Sequence, residues 1–123
     1  MRLRKNRTIT AFHRPAIPQK DQEGGSYVEY GTATPFSAEE WPGGGKLQAS
    51  MYGMRLPNIR NLRIDGRYRE TQENGKLSYS FANGMVVTAG DGICLCTSPE
   101  SDPDYKIVSI YPYRFLTLEV EKI

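Results

Sequence analysis

Residue types that commonly act in catalysis are scarce in this sequence, and they are not grouped. His13 is the single histidine, and it lies in a strand-like segment with neither a nucleophile motif nor a second ligand beside it. The GxSxG, P-loop and HExxH patterns are absent. A lone histidine in this setting is typical of a structural or surface residue. We therefore expect a protein that is not an enzyme and has no catalytic residues.

Candidate metal ligands are equally weak. Asp91 lies between two glycines, and Asp102 and Asp104 flank a proline, which is the composition of ordinary turns, and the EF-hand spacing is absent. Cys94 and Cys96 are two residues apart, so on a strand they point to one side and do not readily form a disulfide. We expect buried, reduced thiols of a cytosolic protein, no metal site and no cofactor.

Charge is distributed unevenly, although the net charge is only +2. Five basic residues precede the first acid, Asp21: Arg2, Arg4, Lys5, Arg7 and Arg14. A second basic run contains Arg55, Arg60, Arg63, Arg67 and Arg69. The C-terminal quarter is acidic, with Glu100, Asp102, Asp104, Glu119 and Glu121. This polarity suits stacking against neighbours of opposite potential, and solvated strand faces are the plain alternative.

The elements that position these residues are mainly short strands. Strands are predicted over residues 7–14, 27–36, 58–65, 77–81, 85–88, 93–97, 105–111 and 114–123. Turns are predicted at Gly24-Gly25 and at Ala82-Asn83-Gly84. Ser37 to Glu40 has capping-box spacing and predicts a helical turn, whereas residues 67–76 are polar and predict a flexible loop.

A short helix is predicted over residues 46–54. Leu47, Met51 and Met54 lie on one face of it, and such a stripe predicts core packing more often than a binding surface. The whole chain, residues 1–123, predicts one mainly β domain: a small antiparallel β-barrel or sandwich with one short helix and long loops. The alternation of residues 105–123 places the C-terminal hairpin in the core. Neither a signal peptide nor a membrane span is expected.

Nucleic-acid binding is a competing hypothesis. Small barrels bind single strands through aromatic platforms and basic grooves. The aromatic candidates are Tyr68, Tyr79, Phe81, Tyr111 and Tyr113. They are thinly spread, so contact with duplex phosphate is favoured over base stacking.

The order of segments nevertheless resembles a known family. A basic start and a Thr/Ile strand are followed by a Gly-tipped loop, a Tyr/Val strand, and the helix KLQASMYGM. An NLRIDG strand, a GDGICL turn and strand, and the ending DYKIVSIYPYRFLTLEVEKI complete the pattern. Over nearly the whole chain this resembles the small head-closure and head–tail connector proteins of long-tailed bacteriophages. The Gly-rich elbow at 42–45 and a longer hairpin at 77–88 depart from that pattern.

The resemblance implies a structural protein of the virion neck, present in the host cytoplasm during assembly. Copies would form a homo-oligomeric ring between the portal or adaptor ring and the tail, where the ring retains packaged DNA. Tail-completion and tail-terminator proteins are alternatives of the same size, and a small nucleic-acid-binding module is a further alternative.

Two sets of residues become site candidates under this hypothesis. A loop over residues 66–76 is the favoured DNA-channel gate, with Arg67 and Arg69 at its base and Glu70 and Glu73 towards its tip. Loop 19–26 is the second choice, and an ordinary solvated hairpin is the alternative. The interface candidates pair the basic start with the acidic end: Arg2, Arg4, Lys5, Arg7, Glu119 and Glu121.

Overall fold

A computed structural model describes residues 8–73 and 75–123, with Glu73 placed by its backbone only. In chain order the strands and helices are β1 Thr8–Arg14, β2 Ala16–Lys20, β3 Ser26–Tyr30, β4 Thr34–Pro42, α1 Gly45–Tyr52, a 3-10 helix Gly53–Asn58, β5 Ile59–Ile64, β6 Tyr68–Glu73, β7 Lys76–Phe81, β8 Val86–Val87, β9 Gly92–Cys94, β10 Tyr105–Pro112 and β11 Leu116–Lys122. No helix in these ranges is long and apolar enough to cross a bilayer.

The predicted mainly β fold is confirmed, and it takes the barrel form of the two alternatives. Six antiparallel strands close in the order β1-β4-β5-β11-β10-β9. Closure pairs every strand on both sides, so the barrel has no free edge. Side chains that point inward fill it, among them Ala11, Leu62, Ile93, Leu116, Leu118 and Val120.

The register of the strands separates the two ends of the barrel. β1 runs from Thr8, opposite Glu39, to His13, opposite Thr34. α1 follows the Pro42 end of β4 and leads into β5, so it lies at the Thr8 end. The β2–β3 hairpin joins β1 to β4 at the opposite end, and the sheet β6-β7-β8 follows β5 at that same end.

The C-terminal hairpin is central, as the sequence predicts. β11 lies between β10 and β5, and its inward side chains are fully buried. A bulge between Ile107 and Ser109 shifts the register once. Such a bulge increases local twist, which helps a small sheet to close.

Two predictions of local structure are wrong. The segment Ser37 to Glu40 is part of β4 and not a helical turn, because its pairing with β1 and β5 buries Ala38 and Glu39. Residues 67–76 are not a flexible loop: Tyr68 to Glu73 pairs with β7 over its whole length. In both cases strand pairing with distant segments outweighs the preference of the local sequence.

The helix is predicted close to its observed position, but the prediction for its apolar face is wrong. Leu47, Met51 and Met54 are 75%, 49% and 97% exposed. The side that meets the barrel carries Gln48 and Tyr52, whose polar atoms bond to β11. An ordinary surface helix turns its apolar side to the core, whereas α1 turns polar groups to the barrel and apolar side chains to solvent; we call it the inverted helix.

Leu118→Asp tests the packing of the barrel. Leu118 is fully buried on the central strand, so an unpaired carboxylate there costs several kcal/mol out of a typical total of about 5–15 kcal/mol. We expect the variant to lose its cooperative urea transition and its solubility, whereas Thr10→Asp on an exposed β1 position keeps both. A soluble Leu118→Asp protein with the wild-type transition would contradict this core.

Candidate functional site

The favoured gate segment is a β-hairpin that extends a separate three-stranded sheet. β6 pairs with β7 from Tyr68 opposite Phe81 to Glu73 opposite Lys76, and β8 pairs with β7 at Tyr79 and Ser80. Near its tip Lys76 and Leu77 are exposed. The hairpin is consequently anchored at its base and open to solvent at its tip.

Aromatic packing holds the base of this hairpin. The Tyr68 ring lies 5.8 Å from that of Tyr79 and 6.0 Å from that of Phe81, between ring centroids. Tyr79 is buried in the core cluster, and the Tyr68 hydroxyl donates to the backbone carbonyl of Tyr113. These contacts link the sheet to the turn between β10 and β11.

The predicted aromatic platform is therefore not available for base stacking as a whole. Tyr68, Tyr79 and Phe81 pack on one another, and the Tyr111 hydroxyl donates to Glu119 at 2.8 Å. Burial and that hydrogen bond raise the pKa of Tyr111 to about 12. Tyr113 is exposed but stacks on Tyr111 with centroids 5.8 Å apart.

The second basic run divides into partnered and unpartnered arginines. Arg55 makes two hydrogen bonds of 2.7 and 2.6 Å to the carboxylate of Glu121. Arg60 lies 3.6 Å from a carboxylate oxygen of Glu40. The guanidinium of Arg63 stacks over Trp41, 5.1 Å from the ring centroid. These three cations are committed to contacts within the chain.

Arg67 and Arg69 differ, because within the described ranges neither makes an ion pair. Both are exposed and line a cleft along β6 and β7. Arg67 also lines a second cleft with Arg114, a residue in the turn between β10 and β11. Sequence reasoning missed Arg114, since only the fold places that turn beside residues 65–67.

Of the two acids of the predicted gate, the structure describes the side chain of Glu70 alone. Glu70 is exposed on β6, opposite Tyr79, and Glu73 is placed by its backbone pairing with Lys76. The alternative gate, loop 19–26, is a tight hairpin turn in which an Asp21 carboxylate oxygen accepts from the amides of Gly25 and Glu23. Both hairpins extend from the same end of the barrel and face a shared groove.

The structure places the residues predicted at the interface in different environments. Arg2, Arg4, Lys5 and Arg7 lie outside the described residues. Glu121 is engaged by Arg55, whose hydrogen bonds hold the pKa of that carboxyl below its usual range. Glu119, predicted as a surface charge, is 3% exposed, so its assignment to an interface is wrong.

Glu119 instead fastens α1 to the outside of the barrel. One carboxylate oxygen accepts from the hydroxyls of Tyr52 and Tyr111, and the other accepts from the amide of Gln48. Gln48 also donates to Asn61 on β5 at 2.7 Å. Burial opposes ionisation of Glu119, but the hydrogen bonds outweigh it, so the pKa of the carboxyl is lowered.

His13 and Asp91, which the sequence separates by most of the chain, form a buried pair. Nε2 of His13 lies 2.7 Å from Oδ2 of Asp91. The same carboxylate accepts from the amide of Thr88 at 2.9 Å and that of Ala16 at 3.0 Å. Because the Asp91 carboxylate joins β1, the start of β2 and the segment before β9, we call this group of contacts the Asp91 clamp.

The prediction for the cysteines is confirmed for one thiol only. Cys94 is buried and Cys96 is exposed, so one thiol and not both lies in the core. Among the described residues there is no group of three potential metal ligands. The two carboxylate oxygens of Asp104 accept hydrogen bonds from the backbone amides of Leu95 and Cys96, at 2.8 and 2.9 Å.

Asp91→Ala tests the clamp. The change leaves three donors without their acceptor, so we expect a loss of about 3 kcal/mol in the free energy of unfolding. Asp91→Asn should lose less, because one acceptor oxygen remains. The exposed Asp102→Ala is the control, with a change of less than about 0.5 kcal/mol. Equal stability of the two alanine variants in urea would rule out the clamp.

Glu119 predicts a specific acid sensitivity. Its folded pKa is below the ordinary value of 4.5, so its contribution is present above that pH and is lost as pH falls through the lowered pKa. We expect urea midpoints of the wild type to drop between about pH 5 and 3 more steeply than those of Glu119→Gln. The exposed Glu100→Gln should follow the wild type, and parallel curves for all three would contradict this role.

Comparison with known proteins gives no relative from which a role could be transferred. No protein-family model, curated protein or solved structure matches this chain. A function can therefore be argued only from the chain's own sequence and structure.

Proposed function

We propose that this protein is a structural ring subunit of a bacteriophage neck, which closes the head and connects it to the tail. In this role it is a non-enzymatic virion protein that assembles in the host cytoplasm. Its ring lies below the portal or adaptor ring and above the tail-completion or tail-terminator protein. The family resemblance of the sequence supplies the hypothesis, and the geometry of the hairpin supports it.

The observation that carries the proposal is the state of Arg67 and Arg69. Most arginines of the same run are committed to partners within the chain, yet these two are exposed at the base of a hairpin whose tip is open to solvent. Two guanidinium groups on a projecting hairpin are suited to meet the phosphates of duplex DNA at a channel.

A ring that closes the head temporarily, which we call a stopper, must bind DNA weakly, because DNA must later pass through the same channel. Each phosphate contact adds affinity that falls with salt, so a hairpin with two arginines holds duplex DNA less tightly than one with a longer basic run. Glu70 lies on the same strand and opposes tight adhesion of the hairpin. The aromatic groups at the base serve packing, so the hairpin does not hold bases by stacking.

A small nucleic-acid-binding module is the second candidate, and the same unpartnered arginines favour it. The two functions differ in assembly, because a module acts as a free subunit on oligonucleotides whereas a stopper acts in a ring on packaged duplex. Tail-completion and tail-terminator roles share the ring and differ in the neighbour that the ring binds.

Reversal of the two arginines tests the DNA contact. We expect Arg67→Glu/Arg69→Glu to reduce the slope of log affinity for duplex DNA against log salt by roughly 2. In assembled particles the same variant should form heads that leak DNA.

Lys106→Glu/Lys122→Glu is the matched control. It changes net charge equally at exposed positions on the other end of the β10–β11 hairpin. The control variant should keep most of the slope of log affinity against log salt, and heads assembled with it should retain their DNA. If both variants lose affinity equally, or if the arginine variant retains DNA normally, the hairpin is not the gate.

A further inference from the structure

The exposed face of α1 is an unusual surface for a small barrel. Leu47 and Met51 lie one turn apart on α1, and Met54 lies in the 3-10 helix that follows it. All three are among the most exposed apolar residues described. A neighbouring side of α1, with Gln48 and Tyr52, is held by hydrogen bonds to Glu119, so the helix cannot turn Leu47 and Met51 inward without breaking those bonds. Exposed apolar groups held in place in this way indicate a contact surface.

The segment that carries this face contains basic residues and no acid. Lys46 and Arg55 are the charged residues between Gly45 and Asn58, and that stretch contains no acid. Arg55 is already paired with Glu121, which leaves Lys46 as the exposed cation without an ion pair among the described residues. A partner that fits this face must combine apolar side chains with a carboxylate.

A surface with that combination exists at the other end of the same chain. The register of β2 and β3 places Ile17 opposite Glu29 and Gln19 opposite Tyr27, so these four side chains share one face of the hairpin. Ile17 and Tyr27 are 42% and 47% exposed, and Glu29 is exposed with no ion pair within the described ranges. The other face, with Pro18 and Val28, lines the groove shared with the second hairpin.

We infer that the α1 face of one copy binds the Ile17–Tyr27–Glu29 face of the hairpin of the next copy. The contact would bury Leu47, Met51 and Met54 against Ile17 and Tyr27 and pair Lys46 with Glu29. Because it joins different surfaces at opposite ends, it is head-to-tail, which is the type of contact that closes into a ring or continues as a filament. The inference rests on the proposed ring and names the surfaces that build it.

Cross-linking tests the pairing directly. In a Cys96→Ser background, the double variant Tyr27→Cys/Met51→Cys should oxidise to a ladder of covalent multimers that ends at the ring. Either cysteine alone should leave monomers. Dimers from Met51→Cys alone would mean that two helices face each other, and the absence of a ladder at the highest soluble concentration would mean that the two faces do not meet. Each of these results overturns the inference.

Exchange of the charges at positions 46 and 29 tests the same contact independently, in variants that keep the fold. Lys46→Glu and Glu29→Lys should each weaken association in sedimentation by several-fold or more. Mixing the two variants should restore association through both contacts between unlike chains, one with the charges at positions 46 and 29 reversed and one with the original charges, in assemblies where the variants alternate. Lack of restoration with folded variants would contradict the pairing. If the protein forms a ring and none of these variants changes it, the proposed interface is wrong but the neck function can still hold. If the ring forms through this interface but binds neither neck partners nor DNA, the neck function is wrong and the interface holds.

Discussion

Closure of the barrel through its shortest strand is the constraint on which the other features depend. β9 has three residues, Gly92 to Cys94, and it alone joins β1 to β10. Asp91 precedes it and binds His13 of β1 and the first amide of β2. Gly92 is required there, because a Cβ would lie 2.4 Å from Cγ of Pro103. The clamp therefore closes the barrel and fixes where the β2–β3 hairpin leaves it.

The same closure brings two hairpins to one end of the molecule and leaves the helix at the other. Arg14, at the end of β1, donates to the carbonyls of Tyr30, Gly31 and Ser101, which secures the base of the β2–β3 hairpin. Tyr68 and Tyr79 secure the second hairpin on the core. A rigid barrel with anchored hairpins presents fixed surfaces at both ends, as a ring subunit needs.

The sequence predicts a barrel or sandwich because its strands carry clear period-2 patterns, as in residues 105–123, and its glycines mark the turns. It cannot predict that Glu119 is buried, since that depends on a helix that covers the outer face of β11. It likewise misassigns Leu47, Met51 and Met54, because spacing identifies a shared face and not the direction in which the face points. The sequence singles out Arg67 and Arg69 as candidates for phosphate contact, but it cannot tell them from Arg55 and Arg60, whose carboxylate partners Glu121 and Glu40 are identified only by the fold.

The proposed neck function is tested most directly by the mass of the purified protein in native mass spectrometry, alone and mixed with candidate portal or adaptor rings. A ring subunit should give a discrete, ring-sized complex that includes the portal-side ring. A stable monomer that leaves those rings unbound and associates only with oligonucleotides would contradict the proposal.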